Sequence, residues 1–328
     1  MHRRNIIASA IAIAAAALGT AASGAVAQVW PSKPIRLLIP FAPGGTTDIV
    51  ARIVGDKLGR ELGQPVILEH RAGGGGTIGA DALAKSAPDG YTIGMATVST
   101  MATNPATNPK TPYDPVKDFT PILNLVNVPN VMTVNPVKLP VKDMKELIAL
   151  LKKSPGKYSY ASSGSGGISH LDGEAFKVMT GTFLVHIPYR GSGPALNDTI
   201  AGQVDAQFDN LPSSLPHIKG GRLKAIAVMA DKRAEALPDV PTFAEVGLKD
   251  VNNMAWYGLA GPAGLPRDVV QKIHAAAVKT LNDPDIRKRL ADGGSIVDGG
   301  TGEQFVQKIA REIALRKDIV KKQKIVLE

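Results

Sequence analysis

Short β-type runs alternate with amphipathic helical stretches along most of this chain, and the alternation breaks off and begins again near residue 128. Ile35 to Pro40 reads as a strand and leads through a Gly-rich turn into a helical pattern from about Thr47 to Leu62, with Ile49, Ile53, Val54, Leu58 and Leu62 on one face. Val66 to Glu69, Ile78 to Lys85 and Tyr91 to Ala96 continue as strand, helix and strand. The second series starts with Val131 to Val134. A helix follows over Val141 to Lys153, its apolar face made of Met144, Leu147, Ile148 and Leu151. Strands at Tyr158 to Ala161, Phe183 to Pro188, Ala206 to Phe208 and Lys224 to Met229 are interleaved with helices at His170 to Thr180 and Pro194 to Gly202. After Trp256 two helical patterns remain, Pro266 to Leu281 and Gly302 to Val320.

Strands that alternate with helices form mostly parallel sheets covered by helices on both faces. Two such series predict an α/β protein of two lobes with mixed, mostly parallel sheets, the chain crossing between them near Val128 and near Met254. The expected division is a first lobe of 28–128 plus 254–328 and a second of 129–253, with two hinge crossings and a cleft between the lobes.

Residues 1–27 carry the pattern of an export signal. Arg3 and Arg4 precede an apolar run from Ile6 to Leu18, and Ala25-Val26-Ala27 is the small-x-small pattern of a cleavage site. The run is shorter than the roughly 20 residues a bilayer span needs. No Cys follows it to carry a lipid. A soluble periplasmic protein cleaved after Ala27 is the expectation. The chain has no Cys, which rules out disulfides and thiolate metal sites. Without Arg3 and Arg4 the formal charge of +9 falls to about +7, a field that favours anionic ligands. The basic residues are dispersed and the compartment is wrong for nucleic acid.

Three Gly-rich turns follow strands and open helices: Pro43-Gly44-Gly45-Thr46-Thr47-Asp48, Ser162-Ser163-Gly164-Ser165-Gly166-Gly167 and Pro188-Tyr189-Arg190-Gly191-Ser192-Gly193-Pro194. Such turns leave backbone N–H groups at a helix start open to an anion, and Ser or Thr adds hydroxyl donors. One helix terminus contributes only about 0.3–2 kcal/mol, whereas micromolar binding takes about 8 kcal/mol. Several turns must therefore converge, each adding charge-assisted hydrogen bonds.

Gly74-Gly75-Gly76-Thr77-Ile78-Gly79 matches a dinucleotide fingerprint, but no acid stands about 20 residues further on, so no cofactor is expected. Ser163, Ser165, His170, His186 and Asp209 could be imagined as a hydrolytic set. The chain lacks a GxSxG elbow, and its six His form no metal-binding pair, so neither an enzyme nor a metal site is expected.

Trp30-Pro31-Ser32-Lys33-Pro34-Ile35-Arg36 and Pro40-Phe41-Ala42-Pro43-Gly44-Gly45-Thr46-Thr47-Asp48 resemble the start of the Bug-type extracytoplasmic solute receptors, the binding subunits of tripartite tricarboxylate transporters. The resemblance continues in order through Pro88-Asp89-Gly90-Tyr91, Tyr160-Ala161-Ser162-Ser163-Gly164, His170-Leu171 with Gly173-Glu174, Pro188-Tyr189-Arg190-Gly191, Gly202-Gln203-Val204-Asp205 and Trp256-Tyr257-Gly258-Leu259. It implies a two-lobed periplasmic-binding-protein (Venus-flytrap) fold that closes on a small organic carboxylate, with membrane permease subunits as partners and the receptor a monomer. One carboxylate would be held by Gly44, Gly45, Thr46 and Thr47 in the first lobe and by Ser163, Gly164, Ser165 and Gly166 in the second. Arg190, Gly191 and Ser192 match a further turn, and Asp209 matches an acid near the cleft. Gly167-Ile168-Ser169 stands where many relatives have a Thr. The far end of the ligand would meet Phe41, Thr97, Ser99, Met101 and Trp256. A dicarboxylate, an amino acid and an aromatic acid all remain open. Presentation to a membrane sensor is the alternative to transport, and a periplasmic hydrolase is the third reading.

Overall fold

The computed structural model describes residues 30–325, so the cleavage point expected after Ala27 lies outside the described residues. The chain opens with β1 (Ile35–Ile39), α1 (Thr46–Leu62), β2 (Val66–His70), α2 (Thr77–Ala84) and β3 (Thr92–Thr97). A π-helical turn over Ser99–Thr103 runs into the short α3 (Asn104–Thr107), and β4 (Phe119–Val128) follows. The second series is β5 (Asn130–Val134), α4 (Met144–Lys153), β6 (Ser159–Ser162), α5 (Ile168–Thr180), β7 (Val185–Pro188), α6 (Ser192–Ile200), β8 (Ala206–Asn210), α7 (Leu211–Lys219) and β9 (Lys224–Met229). The chain ends with β10 (Ala255–Pro262), α8 (Arg267–Asn282), α9 (Pro284–Asp292), β11 (Ile296–Val297) and α10 (Gly302–Gln323).

These strands form two sheets, ordered β11-β4-β10-β3-β1-β2 and β7-β6-β8-β5-β9, one per lobe. Within the first, β1 is parallel to β2 and β3, while β10 is antiparallel to β3 and β4. Within the second, β6 is parallel to β7 and β8, while β5 is antiparallel to β8 and β9. The reversed strands have a common cause. β5 arrives from the first lobe and β10 from the second, so each enters its sheet from the hinge side and runs against its neighbours. The alternation of strand and helix carries no sign of this reversal, and both sheets are mixed.

Apolar runs explain the inner strands. Every residue of β1 except Arg36 is buried, and all eight of β10 are, as expected of strands covered on both faces. The second lobe has its own core around Met132, Leu147, Tyr160, Phe176, Phe208 and Phe243. Ile319 and Ile325 belong to that same core. The segment expected in the first lobe, 254–328, thus also reaches into the second core. α10 starts beside β4 and the π-helical turn and ends inside the second lobe, so its apolar stripe is shared between two cores.

Candidate functional site

The helices differ in how they begin. α4, α9 and α10 are capped by side chains: Asp143 accepts from the Glu146 N–H, Asp283 from Asp285 and Ile286, and Thr301 with Gln304 forms a capping box. α1, α5 and α6 start from Gly45, Gly167 and Gly191, with no side-chain cap on any of them. Their first-turn N–H groups and the positive ends of their dipoles are left to other partners. Asp48 reinforces the first turn by accepting from the Gly44 N–H at 3.0 Å, from Arg52 and from His70. Burial opposes its charge, but these bonds win and hold the carboxyl below its usual range.

The starts of α1 and α6, with Ser163 of the turn before α5, meet at a cavity of about 10 Å³, room for roughly one water. Phe41, Gly45, Thr46, Thr47, Thr97, Ser99, Ser163 and Ser192 line it, with Val98, Asn210 and Tyr257, which were not expected to face a ligand. Asn210 and Tyr257 end a buried chain: the Tyr257 hydroxyl donates to Asn210 Oδ1 at 2.5 Å, and the Asn210 amide donates to Asn130 on the crossing strand. No charged side chain touches the cavity.

Other expected residues take supporting positions. Gly44 sits at the outer lip near Gly193. Gly164, at φ +137°, lies so close to Gly75 that a Cβ would stand 2.8 Å from the Gly75 Cα. Ser165 presses its carbonyl toward Gly75, and Gly191 backs onto Ala42. Gly166 donates its N–H to His170 Nδ1 at 3.1 Å. The GxGxxG stretch is thus a close-approach surface facing the second lobe.

Four further expected residues do not line the cavity. Arg190 is exposed and contributes only its carbonyl, which accepts from the Ala42 N–H. Asp209 is buried behind the cavity, where its carboxylate accepts from Ser192, Ser213 and Ser214 at 2.5, 2.8 and 2.7 Å. Burial pushes its carboxyl up while the three hydroxyls oppose that shift. It orients Ser192 and is spent on that task. Trp256 is 1 % exposed and stacks edge-on against Phe305 in the first lobe. Met101 is likewise core. A large apolar side chain on an inner strand or buried turn is drawn to the core before any ligand.

The lobes touch across the cleft. Thr46 Oγ1 and Ser213 Oγ are 2.8 Å apart, the Ile168 N–H donates to Ser99 Oγ at 3.1 Å, and Thr107 donates to the Gly166 carbonyl at 3.3 Å. Behind the second-lobe turn, His170 and His186 stack with centroids 3.8 Å apart, and His186 Nε2 pairs with Ser162 Oγ at 2.6 Å. Ser162 is fully buried, out of reach of a substrate. Among the described residues no cluster of His, Asp and Glu could hold a metal ion, and no helix is long and apolar enough to cross a membrane.

Two sheets joined by crossing strands, with bare helix ends facing each other over a buried cavity, define a solute-binding receptor of the periplasmic-binding-protein class. Residues 50–325 match the family described as the tripartite tricarboxylate transporter family receptor, and the chain belongs to it. It is 36 % identical over 288 residues to protein BugT of Bordetella pertussis, covering 88 % of each chain. A solved structure of a periplasmic transporter is 53 % identical, with a TM-score of 0.89 over 91 % of this chain and all of that one. MatC from Rhodopseudomonas palustris, solved with bound malate, is 33 % identical with a TM-score of 0.85, covering 89 % of this chain and all of MatC. These relatives are receptors, not enzymes, which sets aside the hydrolase reading.

Proposed function

We propose that the chain is exported with cleavage after Ala27, binds a small organic carboxylate between its lobes, and delivers it to permease subunits of a tripartite transporter. The lobes would be 28–128 with 254 onward and 129–253, hinged at the two crossings and tied by α10. The observation that carries this reading is the convergence of the uncapped starts of α1 and α6, with Ser163 of the turn before α5, on a cavity free of charged side chains. Neutral donors alone can hold a carboxylate when enough of them converge, at roughly 1.5–3 kcal/mol for each bond to the charged group. Malate in MatC supports the ligand class.

The cavity of the closed form is far smaller than any such acid, so the lobes must part to admit it. The test is calorimetry on the purified mature protein against a panel of mono-, di- and tricarboxylates including malate. A bound acid at 100 times its Kd should also add about 2.7 kcal/mol of stability. Gly45 has an ordinary φ, and a Cβ there would meet Ser192 Cβ at 3.1 Å. Gly45→Leu should therefore fold yet bind none of the panel. Unchanged affinity in folded Gly45→Leu would remove the site from this turn.

A further inference from the structure

The crossing strands separate the cleft from a second concavity. In the first sheet, β4 and β10 lie between β3-β1-β2, whose trailing turns face the cleft, and the outer strand β11. In the second sheet, β5 lies between β8-β6-β7 and the outer strand β9. Between β11 and the segment that follows β9, Ala230 to Ala236, runs a groove of about 680 Å³, within the size range of small-molecule sites. Pro129 and Met254, at the two crossings, line it together with residues of both lobes.

Its lining is largely apolar, with Ala234 and Ala236 on the second-lobe wall and Ala291, Ile296 and Val297 on the first. Ile296 is 49 % exposed there and offers its side chain to the groove. Charge is distributed unevenly around the rim. Lys232 lies 3.8 Å from Glu235, Arg233 is paired with Glu245, and Lys288 is paired with Asp292. Asp231 adds one acid on the second-lobe side. Arg287, on the first-lobe side, reaches only the Leu281 carbonyl and Asn282 Oδ1, each at 3.3 Å. Both partners are neutral, and among the described residues no carboxylate is within ion-pair distance of Arg287.

We infer that this groove binds an amphipathic monoanion, its apolar body against Met254, Ala234 and Ile296 and its charge on Arg287, and that such binding favours the closed cleft. The coupling follows from the strand order. The cleft-side strands and the groove walls lie on opposite sides of the crossings, so rotation that narrows the cleft draws β11 and the segment after β9 apart. A ligand shaped to the groove of the closed form binds that form better and shifts the population toward it. By linkage, closure tightens the groove ligand by the same factor. This inference does not depend on which acid occupies the cleft.

The probe is 8-anilinonaphthalene-1-sulfonate, an amphipathic sulfonate whose fluorescence reports apolar burial, titrated into the intact folded protein. One saturable site is expected, weakened about tenfold or more, 1.4 kcal/mol, by Arg287→Glu. Ile296→Asp should weaken it similarly, with both melting temperatures within a few degrees of the parent. Closure is imposed separately. The chain has no Cys, and Thr46 faces Ser213 across the cleft, so Thr46→Cys/Ser213→Cys supplies one disulfide that locks the lobes. The oxidised form should bind the dye at least about fivefold tighter than the reduced form, the low end of usual allosteric couplings. Non-saturable dye binding, or unchanged affinity in exposed Arg287→Glu, would overturn the site. Equal affinity in oxidised and reduced forms would overturn its coupling to closure. Neither arm involves a cleft ligand, so a failure here leaves the carboxylate reading standing.

Discussion

Gly193 shows how much a missing side chain can decide. It lies in the first turn of α6 with ordinary helical backbone, yet a Cβ there would overlap the Pro43 carbonyl oxygen of the opposite lobe. Gly193→Ala should thus leave each lobe folded, even favour the helix slightly, and prop the cleft open. Small-angle scattering should show a larger radius of gyration than the parent; an identical profile would mean that the lip yields. That these glycines matter was legible in the Gly-rich turns, but not that Gly75, Gly164 and Gly193 are spent on contact between lobes. Asp209 was expected near the cleft from the family resemblance, and its three hydroxyl partners, which no pattern in the sequence announces, place it just behind the cavity wall. The stacked pair His170 and His186 carries a pH dependence. Burial pushes each imidazole down to about 4 from 6.5. Between those values the unfolded chain takes up protons that the folded chain refuses, so stability falls as pH drops through that window and levels off below it. His170 alone should account for about 3 kcal/mol. His170→Gln should flatten the change in urea midpoint between pH 7 and 4.5, and an equally steep variant would refute the assignment. Glu174 and Lys177 beside the pair, and the Gly166 N–H on His170, tie the same protonation to the second-lobe turn.

At the level of elements, the apolar periodicity of α1 and α4 and the alternation of β1 to β3 were readable because each has one dominant partner layer. β4 was not, since Pro121 and two Asn interrupt its apolar run. Those residues are tolerated because Asn124 and Asn127 bond Asp298. α7 was hidden by Pro212 and Pro216, the first of which sits in the opening turn where no helical N–H is needed. α10 was seen as a helix but not as a bridge, because an apolar stripe says that a face is buried and not in which core. Ile319→Ala tests the bridge. Large-to-small change at this buried position should cost about 2–4 kcal/mol of unfolding free energy. It should also accelerate hydrogen exchange in α5, which shares the second core with it, rather than in β1. Exchange confined to α10 would show that the far end of the helix contributes nothing to that lobe.

For the whole molecule, the shut cleft makes opening obligatory for exchange of ligand. The oxidised Thr46→Cys/Ser213→Cys protein should therefore lose calorimetric binding of any acid that the reduced form takes up, and regain it on reduction. Binding retained after oxidation would require a route into the cavity that bypasses the lips. The two-lobed plan itself was legible from the restart of the alternation, since each series has to bury its own sheet. Which way the crossing strands run was not, because orientation depends on the side from which a strand arrives. That orientation bears on how the chain acquires its shape as it emerges end first. β10 sits in the middle of the first sheet, between β4 and β3, although it lies more than a hundred residues after either. The first four strands emerge with a vacant central lane and cannot finish their sheet. The second lobe, whose five strands are contiguous from 130 to 229, can assemble its sheet meanwhile. The inserted half is thus set to fold ahead of the half that precedes it, and the N-terminal strands wait for a keystone delivered last.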